Sequence, residues 1–243
     1  DFNPGSEQWN WAMEQLEDAR AEGQIVFAQF HHTPYSSGTH GFPMGHPDSS
    51  GQGGNPMRVY HDKFEEHGVA AVFAGHSEMF ERSFVDQDGD GIGVNYYDVG
   101  VSGDGMRGRK IDSLTGEFGT QNPFSEWTAD GDSEEFWVEN EDGTYTLVDG
   151  GKHYGHLEVN IEKLLDPEGD AVAKAMFTPV YSFPIFELTE DGLIELEGQE
   201  RRVYDDEITL LLDAQGRVVP EPTSALAMLL SGSLLLMRRR RRA

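Results

Sequence analysis

Two short apolar runs in this chain each end in histidine. "IVFAQF" runs into His31-His32, and "AVFAG" runs into His76, two residues ahead of Glu78. Neutral imidazoles at the ends of neighbouring strands can converge on one point, and such nitrogens ligate Zn, Fe or Mn. Gly75 lets the backbone turn sharply just before His76. His40 and His46 follow in a Gly/Pro/Ser-rich loop, close enough in sequence to face the same place. Each histidine taken alone reads first as a loop residue without ligand duty. Two strand-end histidines around one strand–helix–strand unit favour metal chemistry more, and spacing by itself leaves both readings open.

The elements that would position these residues follow from periodicity. Ser6 can cap a helix through "EQWNWAMEQLEDARAEG", with Trp9, Met13, Leu16 and Ala19 at helical spacing and Gly23 as its stop. "QIVFAQF" reads as a buried strand, and a long loop to Pro56 follows it; loops of that length in compact domains are usually functional or disordered. A second helix over "MRVYHDKFEEHG" leads to a second buried strand, "VAAVFAG". The order α-β-loop-α-β puts polar loops at the strands' C-terminal ends, where ligands bind in layered α/β folds. From about residue 93 the pattern changes to short strands and turns: "GVNYYDVGVSG", "GTYTLVDGG", "YGHLEVNIE" and "AKAMFTPVYSF". There is no internal repeat.

The chain of 243 residues is 37% hydrophobic and 11% aromatic, enough to bury a core. Acidic residues outnumber basic ones 44 to 18, and five of the basic ones are Arg238 to Arg242; without that run the balance is 13 against 44, or −31. Such a surface repels phosphate backbones and excludes nucleic-acid binding by a basic patch. It suits a salty exterior or divalent cations. The absence of cysteine excludes disulfides and thiolate metal sites. The chain begins at Asp1, almost at once in a helical pattern, and reads as the latter part of a longer polypeptide.

"FHHTPYSSGTHG", followed after a helix by "VFAGHSEMFERS", resembles the second half of a calcineurin-like metallophosphoesterase, in particular the purple-acid-phosphatase-like branch. That family has a strand ending in His before a small residue and Pro, then a strand ending in Gly-His-x-His. "YYDVGVSGDGMRG" and "YGHLEV" are similar to its later strands, so the resemblance spans roughly residues 6 to 190. It implies an α/β fold, the C-terminal half of a four-layer α/β/β/α sandwich, within residues 1–205, and a linker over 206–218. It implies that His32 and His76 ligate one metal of a dinuclear Fe, Zn or Mn centre, and that His40 contacts phosphate or protonates the leaving group. His31 would be a neighbour. Phosphomonoester or phosphodiester hydrolysis follows, because paired cations neutralise a phosphate undergoing in-line displacement. Glu78 stands where the family has its second His, the residue serving the other metal. It either holds a divalent cation of altered preference, such as Mn, Mg or Ca, or marks a scaffold without catalysis. The family's earlier motifs, with the bridging aspartate and Asn-His, are not in the chain, so the intact parent would be the enzyme and this portion alone inert.

A second candidate lies in "DQDGDGIGV", where Asp86, Asp88 and Asp90 alternate as in the opening of a calcium loop. Tyr97 falls where an EF-hand needs Glu, so a weak structural calcium site or a solvated acidic turn are the two readings. The tail "VPEPTSALAMLLSGSLLLMRRRRRA" has an apolar run from Thr223 to Met237, shorter than the ~18–20 residues of a confident spanning helix, joined directly to five arginines. It resembles the PEP-CTERM sorting signal of Gram-negative bacteria over residues 219–243. That resemblance implies export, a short transmembrane sorting helix, an exosortase-type protease as partner, and a cell-envelope or extracellular destination. The rival reading is a non-catalytic surface or matrix protein on the same scaffold, binding calcium through Asp86 to Asp90.

Overall fold

The computed structural model describes residues 2–103, 106–129, 135–168, 170–188 and 194–220. Helix α1 (Glu7–Ala21) starts where extended Ser6 accepts the Trp9 N–H on its hydroxyl, satisfying one of the helix's open donors. It buries Leu16, with Trp9, Ala12 and Met13 packed against the same core. Strands β1 (Val26–Gln29) and β2 (Val69–Ala74) pair in parallel, so the two histidine-ended runs are immediate neighbours. The helix expected between them is split. Asn55–Tyr60 winds as a 3-10 helix with Pro56 at its start, and only α2 (His61–Glu66) is α-helical.

Strands β3 (Phe80–Val85), β4 (Val94–Val99) and β5 (Ser125–Thr128) complete a five-stranded sheet in the order β1-β2-β4-β3-β5. β4 runs parallel to β2, while β3 is antiparallel to β4 and β5. A hairpin of β6 (Phe136–Glu139) and β7 (Tyr145–Asp149) pairs only within itself. The second sheet is built on the long β9 (Ala171–Leu188). β8 (Gly155–Glu168) flanks β9, as do β10 (Ile194–Val203) and β11 (Ile208–Leu212), and β12 (Val218–Val219) closes the edge.

Alternation divides the two faces of the first sheet, except at Ala70, where a bulge in β2 opposite Val26 and Phe27 puts two successive residues on one face. Val69, Val72, Val94 and Tyr96 meet Leu16 of α1 and Phe64 of α2. Ala70, Ala71 and Tyr97 point the other way, against Ala173, Ala175 and Phe177 of β9 and Leu212 of β11. Helices, sheet and sheet therefore stack as three layers of a mixed α/β fold dominated by strands.

One boundary differs from the sequence reading. Residues 206–218 are no linker: β11 pairs with β9 over Ile208 to Leu212, and Leu212 is fully buried between the sheets. Asp206 is tied to β3 by a two-pronged Arg82 ion pair at 2.8 and 2.7 Å. Gly216, at φ +72, turns the chain into β12. The sorting segment from Glu221 onward lies outside the described residues. Among the described residues no helix is long and apolar enough to cross a membrane.

Candidate functional site

Parallel pairing carries the ends of β1 and β2 to the same edge, and backbone hydrogen bonds fasten them there. The N–H groups of Gly75 and His76 both donate to the carbonyl of His31, at 3.2 and 3.0 Å. β4 ends beside them at Gly100, where a Cβ would lie 2.0 Å from the Gly75 oxygen, so only glycine allows this approach. Four imidazoles gather at this edge. The His76 ring centroid is 4.5 Å from that of His32, 4.1 Å from His40 and 4.7 Å from His31. Nδ1 of His76 and Nε2 of His31 are hydrogen-bonded at 2.9 Å. His31 is thus a direct partner of His76 as well as its neighbour in the fold.

Crowding disfavours the charged form of two of these rings, His76 and His40. Burial, then the fields of His40, His32 and His31, hold the His76 pKa at about 4. His40 is lowered too, first by burial and next by the Arg107 charge, with Glu78 acting in the opposite sense. His40 is 8% exposed, and its Nδ1 lies 2.8 Å from Ser50 Oγ. That hydroxyl also accepts the Gln52 N–H at 3.1 Å, so it ties the His40 ring to the loop backbone and leaves Nε2 free of this contact.

His32 and His76 bring two imidazoles to adjoining strand ends, donors of the type borderline cations take, and His76 Nε2 is buried without an aligned hydrogen-bond partner. A second cation does not fit at Glu78. That residue has φ +53, its carbonyl accepts the Arg107 N–H at 2.8 Å, and its carboxylate is ion-paired with the Arg107 guanidinium.

Two buried acids behind the histidines were missed in the sequence. Glu81 is fully buried in β3 and accepts from Ser37 N–H at 2.7 Å, Ser37 Oγ at 2.5 Å and Asn122 Nδ2 at 2.8 Å. It thereby pins the segment between His32 and His40. Asp98 lies directly opposite Glu81 across the β3–β4 ladder and is 1% exposed. Burial, followed by the Glu81 charge, pushes its carboxyl far above the usual range. The hydroxyls of Thr33 and Ser77 lie close enough to ease this, but neither is aligned for a full hydrogen bond. These are the residues that follow His32 and His76. The one sequence signal was the string of polar residues inside a stretch flanked by Met79, Phe80 and Phe84.

Among the described residues, groups of three or more acidic or histidine ligand atoms already within 4.8 Å of one another occur at two places, both away from the imidazole nest. His46, Asp48 and Asp112 form the first. The Asp48 N–H donates to His46 Nδ1 at 3.2 Å and Asp112 sits 3.4 Å from Nε2, so hydrogen bonds account for it as a staple between two loops. His46 therefore belongs to this staple, stacked on Phe42, and not to the four-imidazole cluster. The second joins Glu65 to Asp86 and Asp88. Asp90 instead accepts the Ile92 N–H at 2.7 Å, and Asp86 accepts from Gly89 and Gly91 at 2.8 and 2.9 Å. Glu65 is raised by burial and by the acidic loop facing it.

No family model matches the chain, and no curated protein is significantly similar to it.

Proposed function

We propose that this chain belongs to an exported, metal-dependent phosphoesterase, and that its described layers are part of a four-layer sandwich. The observation that carries the proposal is the nest of four imidazoles at the C-terminal ends of parallel β1 and β2. His32 and His76 would hold the cation, which when bound polarises a phosphoryl oxygen. His40, its Nδ1 held by Ser50, would present Nε2 to a phosphoryl or leaving-group oxygen. Glu81 keeps His40 in place by anchoring the loop at Ser37. The substrate class is a phosphomonoester or phosphodiester. Fe, Zn or Mn suits the imidazole donors. The tail resembling a PEP-CTERM signal supports an exosortase-type partner and a place in the envelope or outside the cell.

The test pairs metal content with hydrolysis of a chromogenic phosphomonoester and a phosphodiester, by the protein expressed with its upstream coding sequence and beside His76→Ala. Bound transition metal together with turnover that the variant loses supports the proposal. A folded protein with neither rejects it.

A second reading has one observation in its favour, the meeting of Glu65, Asp86 and Asp88. On it the chain is a non-catalytic surface protein stabilised by calcium. Calcium-dependent thermal stabilisation, abolished in Asp88→Asn and unaccompanied by hydrolysis, would favour it.

A further inference from the structure

We propose that the centre of this chain works with one cation and one guanidinium: Arg107, latched by Glu78, stands where the metallophosphoesterase resemblance places the second metal. The inference rests on the metal reading above and parts from it at Glu78.

Among the described residues Glu78 alone, glycines aside, has a positive φ, at +53. A left-handed backbone is unfavourable for an ordinary residue, so something must offset it here. Two links to Arg107 do so. The Glu78 carbonyl, turned by that conformation, accepts the Arg107 N–H at 2.8 Å, and the Glu78 carboxylate takes the Arg107 side chain as its counter-ion. The carboxylate oxygen in this pair is buried and meets the guanidinium as a charge contact without an aligned hydrogen bond. A cation bound to Glu78 would have to expel the guanidinium or lie beside it, and two positive charges a few ångströms apart in a shielded site repel strongly.

Arg107 is also placed to act on the same substrate oxygens. Glu78 is two residues from His76, and both its carbonyl and its carboxylate meet Arg107, so the guanidinium is held beside the strand end that carries the imidazoles. The Arg107 side chain is 55% exposed, open to an arriving ligand. A guanidinium stays charged throughout the physiological range and matches the geometry of phosphate oxygens. On a chain of net charge −26, a fixed cation beside the imidazoles offsets the general repulsion of a phosphate dianion. The ligand class is therefore a phosphomonoester or inorganic phosphate, held by Arg107 and the metal together, and Glu78 positions Arg107.

The experiment titrates the chelator-stripped full chain with Co²⁺, followed by calorimetry and visible absorption, and then titrates the loaded protein with inorganic phosphate. Circular dichroism establishes that each variant is folded. One equivalent of Co²⁺ is expected at the cluster, identified by its loss in His76→Ala, and Glu78→Gln should keep it with an affinity within about twofold. Arg107→Ala should leave that stoichiometry alone yet weaken phosphate by about tenfold, with Arg107→Lys partly restoring it. Two His76-dependent equivalents, or a loss of about tenfold or more in Co²⁺ affinity in Glu78→Gln, would make Glu78 a ligand and overturn the inference while leaving the metal centre standing. Unchanged phosphate affinity in Arg107→Ala would overturn the part assigned to the guanidinium. A folded chain that takes up no Co²⁺ at the histidines would overturn both readings.

Discussion

His76 and Asp98 stand at the ends of neighbouring strands, and burial acts on them in opposite directions. His76 stays neutral down to about pH 4 in the folded chain, whereas an unfolded chain protonates it near the ordinary imidazole value of 6.5. The unfolded state therefore binds the extra proton, and stability drains away as pH falls between those two values. Asp98 keeps its proton well above 3.8 when folded. Here the folded state holds a proton that the unfolded state has released, so stability is complete at low pH and declines as pH rises toward the folded value. Asp98→Asn removes that second slope. Its melting temperature should match the wild type at about pH 4 and exceed it by a widening margin toward about pH 8. Parallel melting curves across that range would mean Asp98 is ionised in the fold. His76→Gln should flatten the acid limb between pH 6.5 and about 4, read in the same scans.

At the scale of elements, β3 decides how the site is held, and it is the strand least visible in the sequence. α1, β1, β2 and β4 are legible because helical spacing or apolar runs announce them. "FERSFV" has no such run, since Glu81, Arg82 and Ser83 interrupt it. Those three are inside because each finds a partner: Glu81 takes Ser37 and Asn122, Arg82 takes Asp206, and Ser83 accepts from Asn122 at 2.9 Å. Hydropathy cannot foresee a partner 124 positions away in sequence. β11 escaped for a related reason: "ITLLL" is a short run next to a Pro/Glu break, and only its pairing with β9 makes it core. The strand-end histidines were legible because ligand-type residues following apolar runs carry their own signal. That Glu78 would turn to Arg107 was not, since the two come together through a loop conformation. Glu81→Ala should strip buried donors at Ser37 and Asn122 of their acceptor and cost about 3 kcal/mol in denaturant unfolding. Glu81→Gln keeps an oxygen for them and should stay within about 1 kcal/mol of the wild type. Equal losses in the two variants would show that the negative charge, rather than the acceptor, holds the loop.

For the whole molecule the governing quantity is charge. Three layers bring the acidic surfaces of two sheets and two helices into one body carrying a net −26, and a compact body repels itself more than an extended chain does. The ion pairs that oppose this are of two kinds. Arg82–Asp206 is largely buried, with side-chain exposures of 13% and 8%, and salt reaches it little. Arg201–Glu158 and Lys63–Glu66 lie on the surface, where each contributes little and is readily screened. Long-range repulsion among 44 acidic residues therefore outweighs the screened pairs. Raising NaCl from about 20 to about 300 mM, which shortens the screening length from roughly 20 to roughly 6 Å, should raise the melting temperature steadily. The slope should be shallower at about pH 4.5, where carboxylates begin to protonate and the net charge falls. A melting temperature that drops with salt would place the stability in the surface pairs instead. Repeating the scan with Arg82→Met separates the two contributions, because losing the buried pair lowers the whole curve while leaving its salt slope in place.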